Sequence, residues 1–245
     1  YEGYNIGLPY ILHLEDRPLK ERIKTIRERI DKAALRCGRD PETVKLVAVS
    51  KTKPTKIVNC AIDAGVMILG ENYIQEARDK IAQLAARQVK WHFIGHLQSN
   101  KAKYAVDLFD LIHSVDSVKL AERLNREAQK KETIQNILIQ VNISQEVSKS
   151  GIHEKTAKDM IRTISSMDNL SVRGLMTVPP FFDRPREARP FFAALRTLRD
   201  RLQAECIPNI KMDELSMGMT GDFEVAIEEG ATLVRIGTAI FGDRS

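Results

Sequence analysis

Eight short apolar runs separated by amphipathic stretches recur along the chain, and this alternation limits the possible folds more than any other feature. The runs cover residues 44–50, 66–69, 90–94, 108–115, 137–142, 172–176, 214–217 and 233–236. Between them, stretches such as 57–64, 117–131, 154–166 and 190–205 space their apolar residues at a helical period. Strands that alternate with helices pair in parallel through right-handed crossovers, and eight such units close a barrel. The predicted fold is therefore α/β, a single (β/α)8 TIM barrel. An extra N-terminal helix precedes it over 15–36, where Leu19, Ile23, Ile26, Ile30 and Leu35 recur before Gly38. An open doubly wound sheet is the second choice, but the glycine fingerprint it needs after the first strand is missing. Residues 1–14 read as a loose leader and 15–245 as one domain.

Composition agrees with that scale, because 245 residues is a common length for one α/β barrel. No apolar run approaches the ~20 residues that cross a bilayer, and no basic-then-apolar leader is present, so a cytoplasmic protein without membrane contact is expected. Cys37, Cys60 and Cys206 are odd in number and lack metal-ligand spacing, which predicts reduced thiols and no metal site. The net charge of +5 comes from interleaved acids and bases, as in the stretch 16–22. This favours solvated helix faces and small anionic ligands over nucleic acid.

In a barrel of this kind the chemistry sits at the C-terminal ends of the strands, with phosphate bound by the loops after strands seven and eight. Lys51, Asn72, Ser216, Gly237 and Thr238 all fall there. A lysine at a strand end, shielded by apolar neighbours, can act as a nucleophile toward an aldehyde; the alternative is a solvated loop lysine. Leu215-Ser216-Met217-Gly218-Met219 and Val234-Arg235-Ile236-Gly237-Thr238 place glycine and hydroxyl groups just past apolar strands, where backbone N–H groups can gather around a phosphate. An amine beside a phosphate cradle suggests pyridoxal 5'-phosphate. Several further residues keep two readings open. Asn142 lies against a ring or makes local turn bonds, and Met176 and Met217 touch a ring or pack in the core. His92 and His96 flank a strand end as ligand contacts or packing groups, and Lys149 is a second amine or a solvated loop residue. Tyr73 and Tyr104 are acid–base candidates near strand ends or packing and surface groups.

The segments Val47-Ala48-Val49-Ser50-Lys51-Thr52-Lys53-Pro54, Gly70-Glu71-Asn72-Tyr73-Ile74-Gln75-Glu76, Trp91-His92-Phe93-Ile94-Gly95-His96-Leu97-Gln98, Gly174-Leu175-Met176-Thr177 and the two phosphate-loop stretches resemble the YggS/PROSC family of pyridoxal phosphate homeostasis proteins. That family is related in fold to the barrel of alanine racemase. The resemblance runs from about residue 44 to about residue 242, and departs from it in the leader and at Thr220-Gly221. It implies that Lys51 carries the cofactor as a Schiff base, that Ser216 and Gly237-Thr238 bind its phosphate, and that Arg235 faces the pyridine nitrogen. Guanidinium can only donate, so a nitrogen facing it carries no proton and the ring is a weak electron sink.

The implied role is vitamin B6 and amino-acid homeostasis with little or no dedicated turnover. Pyridoxal phosphate, amino acids and cofactor-accepting apoenzymes are the candidate partners. A weak amino-acid racemase is the alternative, and a Schiff-base aldolase a more remote one. Racemisation needs an acid or base opposite Lys51. The chain as given ends at Ser245, just past the eighth strand, which leaves no room for the added domain through which alanine racemase supplies one.

Overall fold

The computed structural model describes residues 18–146 and 150–243. Its elements run α1 (Leu19–Arg36), β1 (Lys45–Val49), α2 (Thr55–Asp63), β2 (Ile68–Glu71), α3 (Ile74–Gln83), β3 (Lys90–Phe93), α4 (Ala102–Leu108) and β4 (Leu111–Val115). They continue with α5 (Val118–Lys130), β5 (Gln135–Gln140), α6 (Glu154–Ile164), β6 (Leu170–Met176), α7 (Arg189–Ala204), β7 (Ile210–Ser216), α8 (Phe223–Glu228), β8 (Leu233–Ile236) and α9 (Thr238–Phe241). The eight strands form a closed barrel in sequence order, all parallel. Closure pairs β1 with β8 from Lys45 opposite Leu233 to Ala48 opposite Ile236. The fold is the predicted TIM barrel, and α1 is its extra N-terminal helix. The predicted leader lies outside the described residues.

Side chains on a strand alternate between its two faces, and this period of two decides what fills the barrel. Val47, Ile68, Leu111, Leu138, Met176 and Leu233 form a small cluster of their own. Their strand neighbours, such as Ala48, Leu69, Ile112, Ile137, Leu175 and Val234, join the large core under the helices. The first set plugs the barrel interior, as the layered packing of such barrels requires. Residues two further along, including Val49 and Arg235, then line a cavity at the C-terminal mouth.

The strand limits shift most at β4 and β7, and one apolar residue of α1 faces away from the core. Residues 108–110 do not open β4: the Phe109 N–H bonds back to the Ala105 carbonyl, and the Asp110 carboxylate accepts from the Trp91 N–H at 2.7 Å. β7 starts at Ile210, because pairing with β6 orders residues whose own pattern is too polar to signal a strand. Leu35 is 64% exposed; the buried stripe of α1 is Ile23, Ile26, Ile30, Ala33 and Ala34, and Leu35 points away from it.

Candidate functional site

A cavity of about 460 Å³ opens at the C-terminal end of the barrel. Lys51, Asn72, Arg235, Gly237 and Thr238 all line it, so five of the predicted residues meet there from the ends of β1, β2 and β8. Its basic side chains are Lys51, Lys53 and Arg235, set against the single carboxylate of Asp222 among the described residues. The balance favours an anionic ligand. Ile94, Val178, Phe181, Phe182 and Phe241 make the walls largely apolar.

Lys51 sits half-buried in the turn after β1. The next residue, Thr52, has φ 65°, a left-handed conformation that a β-branched side chain rarely adopts. Its N–H donates to Glu76 Oε1 at 2.5 Å. Lys53 donates to the Asp243 carbonyl at 2.5 Å. Asn72 is fixed by close packing with the loop after β3, where a Cβ on Gly95 would lie 2.4 Å from the Asn72 carbonyl oxygen. Asn72 Oδ1 is buried and has no hydrogen-bond partner. Across the mouth, the Thr238 and Thr220 hydroxyls are 3.2 Å apart, joining the loops that follow β8 and β7.

Arg235 is buried on β8 and anchored at two points. One terminal nitrogen donates to Ser216 Oγ at 2.6 Å and the other to the Thr177 carbonyl at 2.9 Å. Behind Ser216 stand His113, whose Nδ1 is 2.8 Å from the hydroxyl, and His92, whose Nδ1 is 3.0 Å from His113 Nε2. Guanidinium cannot accept, so Ser216 accepts from it and turns its own O–H toward His113 Nδ1. His113 then carries its proton on Nε2 and donates to His92, which fixes both rings as neutral tautomers. Burial pushes the His92 pKa down to about 3, with Lys90 and Lys45 adding to the shift. It holds His113 well below the ordinary histidine value, helped by His92 and Arg235. Burial also lowers Arg235 to about 10, against the raising influence of Asp222, so the guanidinium keeps its charge at neutral pH. Asp222 itself is raised by burial, and its carboxylate accepts from the Met219 N–H at 2.6 Å.

The other predicted residues lie away from the cavity wall. Ser216 is fully buried, and its hydroxyl is taken up by Arg235 and His113 beneath the cavity floor. Met176 belongs to the barrel plug and Met217 to the core under the helices. The Asn142 amide nitrogen donates to the Glu146 carbonyl at 2.8 Å, and its amide oxygen accepts from Ser144 at 3.0 Å. Lys149 lies outside the described residues. His92 is an interior packing group, while His96 is mostly exposed, 4.0 Å from Asp116. Tyr73 is exposed and Tyr104 lies at the surface.

Sequence reasoning missed His113, Asp222 and the buried cluster of Glu71, Glu76 and Lys80. His113 was open to detection as a polar residue two positions after Leu111, on the inward face of β4. The Glu76–Lys80 spacing of four was a visible helical pair, though it gave no sign of being buried.

The sequence profile described as alanine racemase, N-terminal domain, matches residues 22–245. A pyridoxal phosphate homeostasis protein of Aquifex aeolicus is 44% identical over 224 residues, covering 91% of this chain and 97% of its own. The protein of the same name from Escherichia coli K12 is 43% identical over 229 residues, covering 89% and 94%. Among solved structures, PipY of Synechococcus elongatus PCC7942 superposes with a TM-score of 0.82 without PLP and 0.80 with PLP bound. The identities are 38% and 37%, and each comparison covers 92% of this chain and 100% of the other.

Proposed function

Because the chain belongs to the pyridoxal phosphate homeostasis proteins, within the alanine racemase N-terminal-domain family, we propose that it binds pyridoxal 5'-phosphate in the barrel-mouth cavity through a Schiff base to Lys51. The observation that carries this reading is the joint placement of the Lys51 amine, the buried Arg235 guanidinium and the Gly237–Thr238 loop around one cavity.

The residues present fit the group. Its aldehyde requires an amine at a partly shielded strand end, which Lys51 supplies. Its phosphate requires donors, and the first N–H groups of α9 have no carbonyl of their own helix to bond. Its ring nitrogen requires a polar partner at the cavity floor. Arg235 reaches that floor with two of its five N–H donors already committed to Ser216 and Thr177, which fixes its plane while leaving others for a ligand. Buried Asn72 Oδ1 still needs a donor. In this reading Ser216 serves the cofactor indirectly, by orienting Arg235, and phosphate binding falls to the loops after β7 and β8.

When bound, the cofactor supplies an aldehyde and a conjugated ring able to accept electron density. A ring nitrogen facing a permanent donor stays unprotonated, which weakens that capacity. No tyrosine or histidine among the described residues lines the cavity to stand opposite Lys51. Both features favour holding and buffering the cofactor over dedicated turnover such as racemisation. The same reading takes 15–245 as one cofactor-binding unit in the cytoplasm, with amino acids and apoenzymes as the partners that receive or compete for the cofactor.

Reductive trapping tests the linkage. Borohydride treatment of the cofactor-loaded protein followed by peptide mapping is expected to place the added mass on Lys51; a protein that takes up the cofactor without modification at Lys51 refutes the assignment. Turnover is tested separately by incubating the loaded protein with L-alanine in deuterium oxide. Little D-isomer is expected, whereas racemisation at ordinary enzymatic rates, about 1–10³ per second, would make the protein a racemase.

A further inference from the structure

Directly behind Lys51 lies a buried charge cluster that the proposed function leaves unused. The Lys80 side chain of α3 is 5% exposed, and its ammonium donates to the Ser50 carbonyl at 2.6 Å, Glu71 Oε1 at 2.7 Å and Glu76 Oε1 at 2.6 Å. An ammonium has three N–H donors, and all three are placed. Glu71 Oε1 also accepts from the Ser50 hydroxyl at 2.6 Å, and Glu76 Oε1 accepts from the Thr52 N–H at 2.5 Å. Ser50 and Thr52 are the two residues that flank Lys51. One side chain from α3, the helix after β2, thus grips the backbone before Lys51 directly and the backbone after it through Glu76.

Two features set this cluster apart from simple docking of a helix onto a barrel. Buried ion pairs are a poor means of adding stability, because desolvation offsets most of the attraction and apolar packing of equal volume does as well. Burial raises the Glu71 pKa even though Lys80 and Ser50 both donate to it, and its second oxygen has no partner. The cluster also holds Thr52 in its left-handed conformation at φ 65°. Unfavourable backbone geometry persists only where surrounding contacts determine it, and it concentrates at functional sites.

We propose that Lys80 is a positioning residue for Lys51: with Glu71 and Glu76 it fixes the backbone on both sides of Lys51, so that the Lys51 amine meets the cofactor aldehyde already aligned. The proposal rests on the reading of Lys51 as the linking amine. In the linkage a C=N bond forms between the neutral lysine nitrogen and the aldehyde carbon. The carbonyl oxygen leaves as water with the two amine protons, and no oxidant or reductant takes part. Lys80 contributes no atom to it.

The test separates alignment from folding by using two ligands. Pyridoxal 5'-phosphate reports both binding and linkage, through the visible absorbance of the linked cofactor. Pyridoxine 5'-phosphate has no aldehyde and reports binding alone. In Lys80→Met, linkage is expected to slow by about 10- to 100-fold, the loss typical of a reacting group displaced by about 1 Å. Affinity for pyridoxine 5'-phosphate should stay within about twofold of wild type, in line with the intact cavity. Mass-spectrometric labelling of the cofactor-free protein with an amine-directed reagent should show altered reactivity at Lys51 and at no other lysine that remains.

Linkage at the wild-type rate in Lys80→Met overturns the proposal. So does a parallel fall in linkage and pyridoxine phosphate affinity, which would make the cluster merely structural. Should Lys80→Met fail to fold, Glu76→Ala decides by the same measurements, since it releases Thr52 and leaves Lys80 bonded to Glu71 and Ser50. A wild-type protein that binds both ligands but never links at Lys51 refutes the Lys51 reading itself, an outcome distinct from normal linkage in the variants.

Discussion

His92 and His113 are carried in the barrel interior without charge, beside a guanidinium that keeps its own. Each histidine binds a proton far less readily when folded than when unfolded, as burial dictates. The sign of the pH effect follows. Neutral His92 contributes stability that is fully present above the unfolded value near 6.5 and is lost as pH falls toward its folded value of about 3. Glu71 and Asp222, raised by burial, act in the opposite direction, so the total curve mixes both signs. A difference measurement isolates the histidine. Urea unfolding of wild type and His92→Asn is expected to show the stability gap shifting against wild type by about 2 kcal/mol between about pH 7 and about pH 5. A gap that does not change with pH would mean that His92 is charged or accessible in the fold.

Between β6 and its neighbours the barrel depends on a glycine for its geometry. Gly174 has φ 153°, and a Cβ there would lie 1.9 Å from the Glu214 carbonyl oxygen on β7. The register of β6 shifts beside it on both sides. This local irregularity sets the line of the strand that leads to Thr177, opposite the strand that ends in Ser216, and both residues hold Arg235. Gly174→Ala is expected to cost about 3 kcal/mol or more of unfolding free energy, since a Cβ 1.9 Å from a backbone oxygen can be relieved only by parting the two strands. Gly221→Ala provides the contrast. Its Cβ would meet nothing within 4 Å, and its stability should stay within about 0.5 kcal/mol of wild type. Equal effects of the two substitutions in urea unfolding would contradict this account of β6.

Closure of the barrel brings the two ends of the described chain together. The Lys45 N–H bonds to the Thr232 carbonyl at the start of the β1–β8 pair, and at the other end of that pair Lys51 and Thr238 share a cavity. α1 strengthens the seam from outside by packing against α8 and α9. Arg29 forms a two-point ion pair with Glu224 at 2.8 and 2.9 Å, and its guanidinium stacks 4.7 Å from the Phe223 ring centre. Charge elsewhere is spread over surface pairs such as Arg173–Asp213 and Arg162–Glu205, in keeping with acids and bases interleaved along the chain. Among the described residues no helix is long and apolar enough to cross a membrane, and Cys37, Cys60 and Cys206 are exposed free thiols.

The sequence by itself determined the alternation of strands and helices, and with it the barrel, because hydrophobic periodicity is a local property that parallel pairing requires. It also marked Lys51, Asn72, Gly237 and Thr238 for the mouth, since a barrel of this kind gathers its site at the C-terminal ends of the strands. What only the tertiary structure decided are the contacts between residues distant in sequence. Ser216 faces Arg235 and His113 rather than the cavity, and Lys80 lies under Lys51 because α3 packs against β2 and its side chain reaches the turn after β1. The same holds for burial. A lysine four residues after a glutamate reads as a solvated helix pair, and only the packing of α3 on the barrel buries Lys80, half-buries Glu76 and turns that pair into the clamp behind Lys51.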